Sequence, residues 1–106
     1  MHLELGRTEF LAALRSDLSG CRMAGANLEG ANLSGIRLAF ADLRGANLTR
    51  ANLEGADLAG ARLDGANLTG AAFANADVHG TSLRNVIGFD AATGLDSVRN
   101  LDLADR

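Results

Sequence analysis

Residues 26–60 read A-N-L-E-G, A-N-L-S-G, I-R-L-A-F, A-D-L-R-G, A-N-L-T-R, A-N-L-E-G, A-D-L-A-G, and the same rhythm continues to Leu83. Taking the hydrophobic residue as the centre of each unit, centres fall every fifth residue from Leu18 to Leu83, which makes 14 units. Eleven centres are Leu, and the others are Met23, Phe73 and Val78. Ala stands two residues before the centre in ten units, Asn or Asp one before it in nine, and Gly two after it in ten. A repeat of this kind is read before local propensity, because it decides the architecture. In an α-helix, five residues advance the Leu by about 140°, so no apolar stripe forms. Ten glycines would each cost about 0.8–1 kcal/mol in a helix interior. In a flat strand, successive Leu would point to opposite faces. The period is satisfied only if the backbone bends once per unit and returns each Leu to the same side. Gly, Asn and Asp are residues that tolerate such turns.

A chain that bends every five residues, always inward on Leu, coils around an apolar axis. Stacked coils pair their backbones at about 4.8 Å. Two inward positions per unit share a narrow interior, so one is large and the other, Ala, is small. On these units the sequence resembles the pentapeptide-repeat family, with its motif A-(D/N)-L-X-X. The resemblance covers residues 16–85. It implies an all-β solenoid, a right-handed quadrilateral β-helix with four units per coil. Fourteen units then make about three and a half coils, roughly 17 Å tall.

The flanks fall outside the rhythm. In 1–15, Thr8 is placed to cap a short helix with Glu9 in its first turn and Arg15 in its last. Phe10, Leu11 and Leu14 share one face of that helix, which is expected to lie across the first coil as a lid. Residues 16–25 are a degraded repeat, with Ser16 and Cys21 at Ala positions. Cys21 is expected to pack as a small buried hydrophobe. After Leu83, the apolar residues Val86, Ile87, Phe89, Leu95, Val98, Leu101 and Leu103 are out of step with the five-residue rhythm. Residues 86–106 are therefore expected to form a short helical C-terminal cap, with Asp90 or Thr93 starting a turn and Gly94 ending one. The organisation is one structural domain: lid 1–15, solenoid 16–85, cap 86–106.

Folding the run at 20 residues per coil stacks Asn27, Asn47 and Asn67 in one column and Asn32 and Asn52 in another. Their amides are expected to bond to one another or to the turn backbone. Arg22, Asp42 and Arg62 alternate in sign up a third column, and Arg44, Asp64 and Arg84 up a fourth. Two substitutions break the pattern in the middle. Ile36 replaces Ala, and either fills extra core volume or pushes the coil outward. Phe40 takes a Gly position and is expected on the surface, beside the smooth column Gly20, Gly60, Gly80 and next to Ala39 and Ala59. Phe40, Ala39 and Ala59, with Phe89 in the tail, are the candidate residues for contact with a protein partner.

The net charge is −3, and all ten basic residues are Arg. One cysteine excludes an intramolecular disulfide. No apolar run reaches the length of a membrane span, and Met1–Arg15 carries Glu4 and Glu9, so it reads as neither a signal peptide nor an anchor. The expectation is a cytoplasmic protein. No catalytic constellation is present. His2 and His79 are the only histidines, and neither metal-ligand spacing nor a phosphate loop occurs. No cofactor and no metal is expected, and a bore filled with Leu and Ala leaves no cavity for one. Interleaved basic and aromatic residues, the mark of nucleic-acid binding, are missing.

The function expected is a non-catalytic protein-protein interaction or scaffold module. The resemblance supplies an alternative, because some pentapeptide-repeat proteins mimic duplex DNA and bind type II topoisomerases. B-DNA carries one negative charge per about 1.7 Å, so a 17 Å rod would show about ten. Residues 16–85 carry seven acids offset by six arginines, which speaks against mimicry. The chain is expected as a monomer or as an end-to-end homodimer through the C-terminal cap, a pairing that family members use.

Overall fold

A computed structural model describes residues 17–106. The lid expected over 1–15, and Ser16, lie outside the described residues. Parallel bridges tie each unit to the one 20 residues later, a spacing that grows to 23 in the last coil, and divide the chain into four columns. Side 1 carries Asp17, Arg37, Asp57, Asp77 and Arg99, and side 2 carries Arg22, Asp42, Arg62, Ser82 and Asp105. Side 3 carries Asn27, Asn47, Asn67 and Ile87, and side 4 carries Asn32, Asn52, Ala72 and Thr93. Corners 1 to 4 follow the sides of the same number. Among the described residues, β pairing is reduced to one bridge residue per side, with no longer strand. The reason is the short unit: two of every five residues are spent in the turn.

Each corner is a hydrogen-bonded turn. The carbonyl of Leu48, for example, accepts from the Ala51 N–H at 3.0 Å, and that of Leu43 from Ala46 at 3.0 Å. The second corner residue lies in the left-handed region, as with Gly45 at φ 68°. A positive φ at that place is what a type II turn requires, and it explains the recurring Gly. The motif Asn and Asp side chains lock the same turn. Asn47 Oδ1 accepts from the Thr49 N–H at 3.1 Å and from its hydroxyl at 2.6 Å. All nine motif Asn and Asp residues make the corresponding bond to the N–H two residues on. Of the two expected arrangements for the Asn columns, the structure adopts the bond to turn backbone.

The interior is as the period demands. Leu and Ala positions from Leu38 to Ala76 are buried, with Phe73 replacing one Leu at the same depth. Ile36 is buried and fills core volume, and Cys21 is fully buried. Burial pushes the Cys21 thiol pKa up, in keeping with a packing role. Thr81 occupies an Ala position and is also fully buried. Its hydroxyl is satisfied by donating to the Leu58 carbonyl at 2.6 Å.

The tail departs from expectation. Residues 86–106 do not form a separate helical cap. They continue the four columns, so that Ile87, Thr93, Arg99 and Asp105 bridge to Asn67, Ala72, Asp77 and Ser82. The columns hold five, five, four and four residues, which makes four and a half coils where three and a half were expected. The only helical elements among the described residues are two three-residue 3-10 turns, Phe89–Ala91 and Leu101–Leu103. The step has lengthened from five to six. Val86, Ala92, Val98 and Ala104 recur at six, as do Gly88, Gly94 and Asn100, and Phe89, Leu95 and Leu101. Gly88, Gly94 and Asn100 are all left-handed, with φ of 74°, 75° and 66°. The added corner residue lets Phe89, Leu95 and Leu101 pack, partly buried, against the core. The solenoid thus covers its own end by widening its corners.

Candidate interaction surface

Corner 1 stacks two kinds of residue. Ser19, Ala39, Ala59 and His79 come first in each turn, and Gly20, Phe40, Gly60 and Gly80 second, while Leu103, the last residue of the 3-10 turn in the widened corner, caps the stack above Gly80. The ladder that holds them is regular. The N–H groups of Gly20, Phe40, Gly60 and Gly80 donate to the carbonyls of Ala39, Ala59, His79 and Leu103 at 2.9–3.1 Å. Phe40 is 73% exposed, as expected from its Gly position. Its φ is 63°, a conformation that is an outlier for a bulky residue. The ring leans up over Gly60, where a Cβ would stand only 2.5 Å from Cε1. Phe40 therefore keeps its place because Gly60 has no side chain. Ala39 and Ala59 are half-buried beside it.

Phe89 does not join this group. It lies at corner 3, diagonally opposite, where it is half-buried against the core. The Arg106 guanidinium stands 5.7 Å from its ring centroid. Leu103 belongs to corner 1 and was missed, although it is 52% exposed. Its place follows from the six-residue step of the tail, which carries it above Gly80.

The charged columns also resolve differently from expectation. Asp42 does not pair up or down its column. Arg44, two residues on, donates from Nε and Nη2 to the two carboxylate oxygens at 2.8 and 2.7 Å. That bond holds the Asp42 carboxyl down at about 2. Asp64 accepts from the Ser82 hydroxyl at 2.9 Å, and Arg84 pairs with Asp105 at 3.0 Å. Arg50 pairs with Glu29 on the coil below, and Arg37 stands 3.8 Å from Asp17. Asp77 is lowered chiefly by the hydrogen bond that Asn100 donates to it at 2.8 Å. His79 is exposed. Among the described residues, no three His, Cys, Asp or Glu side chains are placed to hold a metal ion. No helix among them is long and apolar enough to cross a membrane.

Comparison with known proteins agrees with this geometry. The family model described as pentapeptide repeats (8 copies) matches residues 16–55 and 51–87. No curated protein sequence matches the chain. Among solved structures, a pentapeptide repeat protein from the Arabidopsis thaliana thylakoid lumen is 33% identical with a TM-score of 0.73, over 80% of this chain and 59% of that one. The pentapeptide repeat protein Rfr23 of the cyanobacterium Cyanothece 51142 is also 33% identical, with a TM-score of 0.45, over 84% of this chain and 63% of that one. A trypsin-treated variant of QnrB1, a plasmid-mediated fluoroquinolone resistance protein, is 24% identical with a TM-score of 0.37, over 72% of this chain and 46% of that one. A superposition as loose as the last supports nothing about what this chain binds. The chain spans less than two thirds of the length of each of these three proteins. The likeness to the thylakoid-lumen protein implies a right-handed, four-sided β-helix for the stacked coils. The chain belongs to the pentapeptide-repeat family.

Proposed function

We propose that the chain is a non-catalytic module for protein-protein contact, with corner 1 as its docking edge. The observation that carries this reading is the exposed Phe40, held at φ 63° where the repeat has Gly. A left-handed backbone costs a residue with a Cβ roughly 1–2 kcal/mol. Strain of this kind concentrates at functional positions. Arg50, Asn75 and Asn85 share this conformation at Gly positions, and Phe40 differs from them in being an aromatic, the side-chain class that anchors protein interfaces. Small neighbours, Ala39, Ala59, Gly60 and Gly80, let a partner approach the backbone closely. The ladder of N–H bonds beneath keeps the edge rigid, so little ordering entropy is lost on docking.

The alternative, a mimic of duplex DNA bound to a topoisomerase, calls for a densely anionic rod. Sides 1 and 2 carry interspersed Arg and Asp instead.

Affinity capture from the source cell, with wild type and Phe40→Gly side by side, tests the docking edge. A protein retained by wild type and lost by the variant is the expected result. Equal recovery of the same proteins would overturn it. A gyrase supercoiling assay with a fluoroquinolone is expected to show neither inhibition nor protection, and protection would favour the alternative. A cytoplasmic location belongs to the proposal, and recovery of the native protein in a membrane or lumenal fraction would remove it.

A further inference from the structure

Phe40 and Leu103, two of the three exposed large hydrophobic side chains among the described residues, lie on the same edge, corner 1. Between them are only small residues and His79. The columns on either side of this edge, sides 1 and 2, carry opposite charge at nearly every level. From the first coil upward the pairs are Asp17 and Arg22, Arg37 and Asp42, Asp57 and Arg62, Asp77 and Ser82, Arg99 and Asp105. Only the fourth pair sets a carboxylate against a hydroxyl. Among the described residues, Arg22, Asp57, Arg62 and Arg99 take part in no ion pair.

Symmetry turns this pattern into a choice of partner. A two-fold axis parallel to the coil axis, placed outside corner 1, sets side 1 of one copy against side 2 of the other at the same height. Every level then opposes Asp to Arg, or Asp77 to Ser82, on both flanks of the seam. The reversed arrangement sets side 1 against itself. An axis through a level sets a charge against its own copy, Arg37 against Arg37 on the Phe40 level or Asp57 against Asp57 one level up, and an axis midway between those two levels opposes Arg37 to Asp57 but sets Asp17 against Asp77. Like charges held face to face suppress a pairing. The parallel arrangement also places Phe40 beside the axis, where ring meets ring across an isologous contact.

Resting on the docking-edge reading above, we propose that the partner of corner 1 is a second copy of this chain, associated side by side and parallel. Phe40 packs against the partner's Phe40, and the side 1 charges face the complementary side 2 charges across the seam. The exposed ion pairs select this orientation more than they add affinity. The aromatic anchor supplies most of the affinity.

The test is solution mass by sedimentation equilibrium over a concentration series. Wild type is expected at twice the 10.9 kDa chain mass. Phe40→Gly is expected to raise the dissociation constant at least about tenfold, with a melting temperature no lower than wild type, so that loss of fold does not explain the change. Arg62→Glu, which opposes two carboxylates on both flanks, is expected to weaken the dimer by about tenfold at low salt and less at high salt. Thr49→Glu at corner 3 should leave it unchanged. Under mild oxidation Ser19→Cys should cross-link to its own copy, and a mixture of Ser19→Cys and His79→Cys should give no mixed product.

A wild type monomeric at every concentration overturns the proposal. So does a dimer unmoved by Phe40→Gly and Arg62→Glu, as end-to-end pairing through 86–106 would give, and so do mixed cross-links. A monomeric wild type whose captured protein is lost with Phe40→Gly would end self-association while leaving the docking edge standing.

Discussion

The hydroxyl of Thr81 donates to the carbonyl of Leu58 at 2.6 Å, inside the bore, between residues 23 apart in the chain. The same carbonyl already accepts the Ala61 N–H at 2.9 Å. Thr81→Val keeps the shape and removes the donor, and it leaves no carbonyl unsatisfied. A loss of about 0.5–1.5 kcal/mol is expected in urea unfolding. A gain in stability would mean that this bond contributes nothing and that the bore prefers an apolar side chain there.

Leu48 and Leu53 are fully buried, whereas the Thr49 hydroxyl bonds only Asn47 at the corner. Leu48→Ala and Leu53→Ala should each cost about 2–5 kcal/mol. Thr49→Ala should cost no more than about 1 kcal/mol. Calorimetric melting temperatures that fell equally for all three would contradict the assignment of inside and outside.

The widened last coil leans on the coil below. A Cβ at Gly94 would stand 2.5 Å from the Ala74 backbone nitrogen, and one at Gly88 would overlap Thr69. A Cβ at Gly65 meets nothing within 4 Å. All three glycines are left-handed. Gly65→Ala should therefore cost only the backbone strain, about 1 kcal/mol. Gly88→Ala and Gly94→Ala add overpacking and should cost about 3 kcal/mol or more. Hydrogen exchange would localise the damage to the last coil. Equal effects at all three sites would deny that coil its close contact.

Asp42 has the clearest link to pH. Its folded carboxyl is held at about 2, first by the hydrogen bonds from Arg44. An unfolded Asp titrates near 3.9, so the folded form binds its proton less tightly. The resulting stability is fully present above about pH 5 and is lost as the pH falls through the folded value. The difference in unfolding free energy between wild type and Asp42→Asn should be flat near neutrality and should close between about pH 4 and about pH 2. Arg44→Ala should remove most of that pH dependence. A difference that stays constant down to pH 2 would show that the pair does not stabilise the fold.

Much of the coil was legible because its determinants are local. Whether Leu43 or Asp42 points inward follows from one bend per five residues, and the same bend places Phe40 outside and Ile36 inside. The candidate surface was legible only in part. Phe40, Ala39 and Ala59 do lie together, since they share one column at a step of 20. Phe89 does not, because the tail runs at six per corner and carries it to the opposite edge. The cue was present in Gly88, Gly94 and Asn100 and in Phe89, Leu95 and Leu101, but it is a second rhythm hidden by the strength of the first. The same shift brought Leu103 onto corner 1.

Charge pairing was the least legible feature. Column order suggested that Asp42 would face Arg22 and Arg62. The side chain is already turned toward its own corner to accept the Arg44 N–H, and that orientation hands the carboxylate to the Arg44 guanidinium.

By itself the sequence determined the winding, the contents of the bore and the family, because a strict period constrains every backbone turn in the same way. Tertiary structure alone decided that the tail becomes a further coil, which tail residues reach which edge, and which charges are left for another molecule. Those outcomes depend on contacts between residues 20 or more apart. They are set when one coil is laid on the next, where a missing Cβ at Gly60 or Gly94 matters as much as any side chain present.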